Sequence, residues 1–335
     1  MKIIKKLTFW IDNARYNALP QSLLPAIVAV FAASQQNTFS LFYALLAVMG
    51  IIFAHLSMNL LDDYFDYKNK GTTIRNQLAA GGIRSRIAKC EYLTSGQASV
   101  KQLLTASALF ALLALFFGTF ILIKQGIGIL YITLITTFFG ISYSGIPFKF
   151  SYHGMGELVI GLIFGPLLMS GVFYASCGML SPFIFFISVP VGLLVANILF
   201  THSIMDMEPD KRANKITLAV LFNNMKINLF LAFCFIFLPF IIMIIGIECH
   251  FLSRWFYLVL LSLPNAIHLF YLMIQFAKYP QKKLTPKWWM QPMERWNEIT
   301  KIGIDWFMIR WYSSRNLILF FCLWIIIALF ISKGV

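Results

Sequence analysis

Residues 41–66 read LFYALLAVMGIIFAHLSMNLLDDYFD: an apolar run from Leu41 to Leu61 that carries Asn59 near its end and closes on Asp62, Asp63 and Asp66. At 1.5 Å per residue such a run is about 30 Å long as a helix, the thickness of a bilayer's hydrocarbon core. Similar runs recur at about 18–34, 99–121, 126–144, 156–176, 182–204, 228–247, 255–277 and 315–332, so with 40–61 the sequence predicts nine transmembrane helices. The expected fold is all-α, a polytopic bundle around a central cavity, forming a single transmembrane domain over residues 1–335. Composition agrees. Apolar residues make up 59% of the chain and charged residues 12%, where a soluble domain carries about 25% charged; mean hydropathy is +0.77.

The net charge of +14 suggests nucleic acid until its distribution is read. With nine spans and a cytoplasmic N-terminus, 24 of the 27 Lys and Arg residues fall in cytoplasmic segments; Lys124, Arg254 and Lys333 are the exceptions. That is the positive-inside bias of an integral membrane protein. Basic membrane-proximal surface attracts anionic lipid headgroups, and no nucleic-acid partner is needed. No cleavable signal peptide is evident. The stretch 278–315 mixes cations with Trp288, Trp289, Trp296, Trp306 and Trp311, the composition of a cytoplasmic segment lying at the membrane interface. The five cysteines show no CxxC spacing and suggest neither disulfides nor a zinc site.

The chain has 13 acidic residues, and six of them lie in two short stretches: Asp62, Asp63 and Asp66 after the second span, Asp206, Glu208 and Asp210 after the sixth. Crowded carboxylates at a membrane helix end repel one another and are costly to desolvate, so they mark a functional site. On a helix Asn59, Asp63 and Asp66 share one face with Asp62 on its flank, and Asp206 and Asp210 stand one turn apart. Facing each other, two such sets would hold Mg²⁺ through hard oxygen ligands, leaving positions open for phosphate oxygens. Arg84, Arg86, Lys211 and Arg212 in the following basic loops would complete an anion site. Mg²⁺, cations and a greasy interior together fit a diphosphate on a long hydrocarbon tail. Two other readings use the same acids: solvated helix ends paired with nearby lysines, and an ion-coupled secondary transporter. The transporter reading places its acids at mid-membrane, whereas these sit at helix ends.

The motifs Asn59-x₃-Asp63-x₂-Asp66 and Asp206-x₃-Asp210-Lys-Arg-Ala-Asn-Lys215-x-Thr217-Leu218 resemble the two aspartate-rich motifs of the UbiA superfamily of intramembrane prenyltransferases. Within it the chain is most similar to the MenA type, 1,4-dihydroxy-2-naphthoate polyprenyltransferase. Three further stretches carry that likeness: Arg15-Tyr-Asn-Ala-Leu19-Pro20, Gly81-Gly82-x-Arg84, and the run from Tyr143 through Pro147, Lys149, Tyr152, Gly154 and Glu157 to Gly165-Pro166. The likeness spans residues 10–225. Two positions depart from it: the MenA type commonly has Asn-Asn-x-Arg where this chain has Thr201-His202-Ser203-Ile204-Met205, and Leu60, not an aspartate, follows Asn59.

The resemblance implies an enzyme of the cell inner membrane, N-terminus and active site cytoplasmic, that joins a polyprenyl diphosphate to an aromatic acceptor in menaquinone biosynthesis. Another acceptor such as 4-hydroxybenzoate is the nearest alternative. It further implies that Asp62, Asp63, Asp66, Asp206 and Asp210 bind Mg²⁺, with Asp63, Asp66, Asp206 and Asp210 essential for catalysis. Asn59 belongs to the substrate site. Arg84, Lys149, Lys211 and Arg212 are candidates to neutralise the departing diphosphate, and Tyr143 to face the allylic cation. Asn197 and His202 are candidate acceptor contacts. Glu157, opening a span, suits a structural and a substrate role equally. His55, His153, His250 and His268 read as structural.

Overall fold

The structure, a computed structural model, describes residues 2–68, 90–280 and 282–332. Within them lie α1 (Lys2–Asn13), α2 (Pro20–Ala33), α3 (Leu41–Lys68), α4 (Glu91–Thr94), α5 (Val100–Gln125), α6 (Ile127–Ser144) and α7 (Gly156–Cys177). They continue with α8 (Pro182–Met205), α9 (Met207–Arg212), α10 (Leu218–Phe222), α11 (Met225–Glu248), α12 (Arg254–Lys278), α13 (Trp296–Ile302) and α14 (Asp305–Ser332). No β-strand forms among the described residues, only an isolated bridge between His153 and Ile216.

Eight of these helices, α3, α5, α6, α7, α8, α11, α12 and α14, are long and apolar enough to cross a membrane. The expected first span is the shorter α2. Its 14 residues rise about 21 Å, less than the hydrocarbon core. Pro20 fixes its start, and Arg15, left-handed at φ 59°, turns the chain just before it. The last span is longer than expected, starting at Asp305 and not near 315. Buried Arg310, Ser313, Ser314 and Asn316 hide its first turns from a hydropathy reading. Residues 305–315 of the stretch 278–315 thus belong to α14.

The chain divides into two compact units, Met1–Ser151 with Leu167–Ile184, and Tyr152–Pro166 with Phe185–Val335. In the first, α3 runs along α5. Ser57 Oγ donates to Ser107 O (2.9 Å) and Ser107 Oγ to Ser57 O (3.0 Å), a polar clasp between small residues of the kind that joins helices in lipid. Leu56, Leu60, Leu103, Ala106 and Phe110 pack with Trp10 and Tyr92, so α1 and the short α4 each bury a side chain against α3 and α5. Ser99 caps α5 by accepting from Gln102 N, which satisfies a donor at that helix's N-terminus.

In the second unit backbones meet directly. A Cβ on Gly165 would lie 2.4 Å from Gly192 Cα, and one on Gly192 2.4 Å from Gly161 O. Pro166 lacks the N–H that a regular helix needs, and the chain there winds as a π turn, Ile163–Leu167. The segment before α14 is latched onto that helix. Tyr312 OH donates to Glu294 O (3.0 Å), Arg315 reaches Glu294 Oε2 (2.7 Å) and Pro292 O (2.7 Å), and Asn316 donates to Met290 O (2.8 Å). Trp288, 85% exposed, stands out from it. Arg310 is fully buried; its Nε donates to Leu272 O (3.0 Å) and its guanidinium lies over the Phe276 ring.

Candidate active site

The helical ladder of α3 does not stop where its apolar run stops but carries on to Lys68, so Asn59, Asp62, Asp63 and Asp66 are all held on one rigid element. Asp63 and Asp66 are buried, each 3% exposed, and Asp62 is partly open. Among the described residues, Arg15 is a cation set among these acids. Its Nη2 donates to Asn59 O (2.9 Å) and to Asp62 Oδ2 (3.1 Å), and lies 3.4 Å from both Asn59 Oδ1 and Asp63 Oδ1. Asn59 returns the contact, its Nδ2 donating to Ala14 O (2.8 Å), and that bond fixes the turn that carries Arg15. Burial by itself would lower the Arg15 pKa; Asp63 and Asp62, the hydrogen bond to Asp62, and Asp66 together outweigh it and raise the pKa. The guanidinium is permanently charged there.

Two more groups orient the carboxylates. Tyr92 OH donates to Asp63 Oδ2 (3.1 Å), and Ser144 Oγ to Asp62 Oδ1 (2.5 Å). Burial first, then the Asp63 carboxylate, raise the Tyr92 pKa, so its hydroxyl stays a donor. Its ring is fixed edge-on by Phe9 and Trp10. Arg15, Tyr92 and Ser144 were not among the expected site residues. Arg15 stood within the quoted N-terminal stretch and Ser144 next to Tyr143, but neither spacing nor charge linked them to α3. Tyr143 is half-buried in the last turn of α6, and Lys149 follows in the next turn, left-handed at φ 48°. Arg84 and Arg86 lie outside the described residues.

In the second unit α8 ends at Met205 and Asp206 opens α9. Backbone bonds Asp206 N to His202 O (2.9 Å) and Asp210 N to Asp206 O (2.8 Å) keep the one-turn spacing across that junction, so His202, Asp206 and Asp210 follow one another along one side. Asp206 and Asp210 are buried, 1% and 2% exposed, while Lys211 and Arg212 are exposed. His202 Nε2 is 2.9 Å from Asp206 Oδ2, and its ring meets Phe307 edge-on at 5.3 Å. Glu157 is a structural tie: it accepts from Ser203 Oγ (2.6 Å) and from Leu218 N at the start of α10 (3.3 Å). Asn197 is fully buried and donates to Ser314 Oγ (2.9 Å). His55 Nδ1 pairs with Ser22 Oγ (2.7 Å).

The donor chemistry fits a hard divalent cation in the first unit. Side-chain oxygens of Asn59, Asp62 and Asp63 already converge on one positive centre, the Arg15 Nη2, and carboxylate and amide oxygens are the ligands Mg²⁺ prefers. They stand at hydrogen-bond distance, and among the described residues no three carboxylate, imidazole or thiol groups are gathered at ligand distance. An ion would draw them about 1 Å inward.

Fold and site together define an integral membrane protein, all-α, with buried carboxylates at the ends of its third and eighth helices. The chain belongs to the UbiA prenyltransferase family, whose model matches residues 22–298, and it is a prenyltransferase of that family. It is 24% identical over 253 residues to the 1,4-dihydroxy-2-naphthoate octaprenyltransferase of Bacillus subtilis, covering 76% of this chain and 78% of that one. It is 30% identical over 148 residues to the 2-carboxy-1,4-naphthoquinone phytyltransferase of Synechocystis, covering 44% and 48%. Among solved structures it is similar to a UbiA homolog from Archaeoglobus fulgidus bound to DMAPP and Mg²⁺, with a TM-score of 0.59 at 18% identity over 94% of this chain and 98% of that one. A digeranylgeranylglyceryl phosphate synthase gives 0.64 at 18% identity, covering 97% and 99%. These structural likenesses establish the fold. Family membership sets the transporter reading aside.

Proposed function

We propose that the protein transfers a polyprenyl group from a polyprenyl diphosphate to 1,4-dihydroxy-2-naphthoate, in menaquinone biosynthesis. The observation that carries the reaction is the convergence of Asn59, Asp62 and Asp63 oxygens on one cation at the end of a membrane helix. The acceptor rests on the names of the relatives, four of which are 1,4-dihydroxy-2-naphthoate octaprenyltransferases, from Bacillus subtilis, Mycobacterium tuberculosis, Haemophilus influenzae and Escherichia coli.

In this reading Asp62, Asp63, Asp66, Asp206 and Asp210 hold Mg²⁺, which when bound neutralises charge growing on the diphosphate as its C–O bond breaks. Tyr92 and Ser144 each bond one carboxylate oxygen and would orient Asp63 and Asp62 to hold that ion. Arg15 exchanges its carboxylate contacts for diphosphate oxygens when substrate arrives, a change suited to its several fixed N–H donors. Arg84, Lys149, Lys211 and Arg212 supply further positive charge. Tyr143 offers its ring face to the allylic cation, and the electron-rich acceptor ring attacks that carbon, losing its carboxylate. The protein sits in the cell inner membrane with N-terminus and site cytoplasmic, and the tryptophan- and lysine-rich segment before α14 lies against lipid headgroups. The test incubates membranes carrying the protein with labelled polyprenyl diphosphate, Mg²⁺ and either 1,4-dihydroxy-2-naphthoate or 4-hydroxybenzoate. A lipid-soluble labelled product with the naphthoate is expected. Product with 4-hydroxybenzoate alone would reassign the acceptor, and no product from either would overturn the reaction.

A further inference from the structure

His202 and Asp206 stand one turn apart at the junction of α8 and α9, with Nε2 2.9 Å from Oδ2. A protonated imidazole sharing its proton with that carboxylate would point its N–H along the line between them. It does not: the buried Nε2 makes no aligned hydrogen bond, although the distance is well inside hydrogen-bond range. The Asp206 side chain is 1% exposed and the His202 side chain 12%, so bulk water is not what holds the two atoms together.

A nitrogen and an oxygen that are close but not aligned are what two neighbouring ligands of a single ion look like. Ligands about 2.1 Å from a metal and at right angles to each other lie about 3.0 Å apart. Each lone pair then points at the ion, roughly 45° away from the line joining the two atoms. The ring is already fixed for this: Phe307 packs edge-on against it, and the continuous main-chain bonds from His202 to Asp206 and from Asp206 to Asp210 hold the spacing. We propose that His202 is a nitrogen ligand of the divalent cation held at Asp206. This rests on the reading of Asp206 as a metal ligand given above, and it changes which ion the site prefers. Carboxylates with phosphate oxygens suit Mg²⁺ and Mn²⁺, whereas an imidazole suits first-row transition ions. Adding one therefore shifts the preference away from Mg²⁺, with Mn²⁺ the transition ion that still takes the oxygen ligands. Two protein ligands suffice, since such ions are commonly completed by water and substrate phosphate oxygens.

The experiment uses the full-length protein in detergent with Mn²⁺ and methylene diphosphonate as the diphosphate probe. Bound Mn²⁺ is counted by equilibrium dialysis, and its ligands are read by electron spin-echo spectroscopy for ¹⁴N coupling. The expected result is bound Mn²⁺ with an imidazole ¹⁴N coupling that disappears in His202→Asn. That variant should bind Mn²⁺ about tenfold more weakly while its Mg²⁺ affinity moves less than about threefold. Bound Mn²⁺ without ¹⁴N coupling in the unmodified protein would overturn the proposal alone, leaving His202 and Asp206 as an ion pair. Coupling that persists in the variant would also overturn it. No bound Mn²⁺ at all would sink the metal reading of Asp206 with it. Because the unmodified protein alone decides the first and last outcomes, a variant that failed to fold would not shield the proposal.

Discussion

Replacing Arg15 by alanine isolates the counter-charge at the first aspartate cluster. One guanidinium nitrogen is shared between Asp62 at 3.1 Å and Asp63 at 3.4 Å, with side-chain exposures of 28% for Arg15, 18% for Asp62 and 4% for Asp63. Breaking a fully buried pair costs about 3–5 kcal/mol because it strands a charge, and an exposed pair is worth about 0–1 kcal/mol. Asp63 is buried but Arg15 is 28% exposed, so the pairs lie between the two cases and Arg15→Ala should destabilise the metal-free protein by about 2–3 kcal/mol. At about 2 °C per kcal/mol for a chain this long, the melting temperature falls by about 5 °C. A divalent ion bound to the same oxygens would replace the missing charge. With saturating Mg²⁺ and methylene diphosphonate the deficit should therefore shrink to about 1–2 °C. Intrinsic tryptophan fluorescence during heating in detergent measures both numbers. An Arg15→Ala protein that melts with the parent in the absence of metal would refute the counter-charge role. A deficit of the same size with and without metal would refute the claim that ion and guanidinium use the same oxygens.

Asp63→Ala and Asp206→Ala should each abolish prenyl transfer while circular dichroism stays helical; activity near the parent's in either would remove that residue from the metal set. Tyr92→Phe deletes a hydrogen bond to a buried carboxylate, worth about 1.5–3 kcal/mol, and turnover should fall at least about tenfold, with a larger loss at limiting Mg²⁺ than at saturating Mg²⁺. Gly165→Leu drives side-chain atoms into the Gly192 backbone and should remove the monodisperse peak in size-exclusion chromatography, with overpacking costing about 3 kcal/mol or more. The Arg315 hydrogen bond lowers the Glu294 pKa below its ordinary 4.5. The latch it forms is thus fully present above pH 4.5 and is lost as pH falls through the lower, folded value. Limited acid proteolysis should cut the segment before α14 only in that low range, and Glu294→Gln should remove the pH dependence.

The spans and the acid clusters were legible because each is a local signal. Hydropathy over about 20 residues is a property of a contiguous stretch, and the i, i+4 spacing of Asn59 with Asp63 and of Asp206 with Asp210 follows from helix geometry alone. Hydropathy failed at the two ends where it met a competing term. α2 is cut short by Pro20 and the left-handed Arg15, and α14 begins early because Arg310 (through Nε and Nη1), Ser313 and Asn316 donate hydrogen bonds inside the protein instead of to water. Tyr92 and Ser144 could not have been found by spacing: they lie 29 and 82 residues from the carboxylates they bind.

By itself the sequence determined an all-α membrane protein with two sets of carboxylates at helix ends, since hydrophobic length and one-turn spacing need no partner chain segment to be read. The tertiary structure alone decided that Arg15 meets Asp62 and Asp63 and is held there by the return bond from Asn59, and that His202 faces Asp206 off the hydrogen-bond axis. Those contacts depend on loop conformation, burial and side-chain direction. They exist only once distant segments are packed together in a medium where an uncompensated charge is expensive.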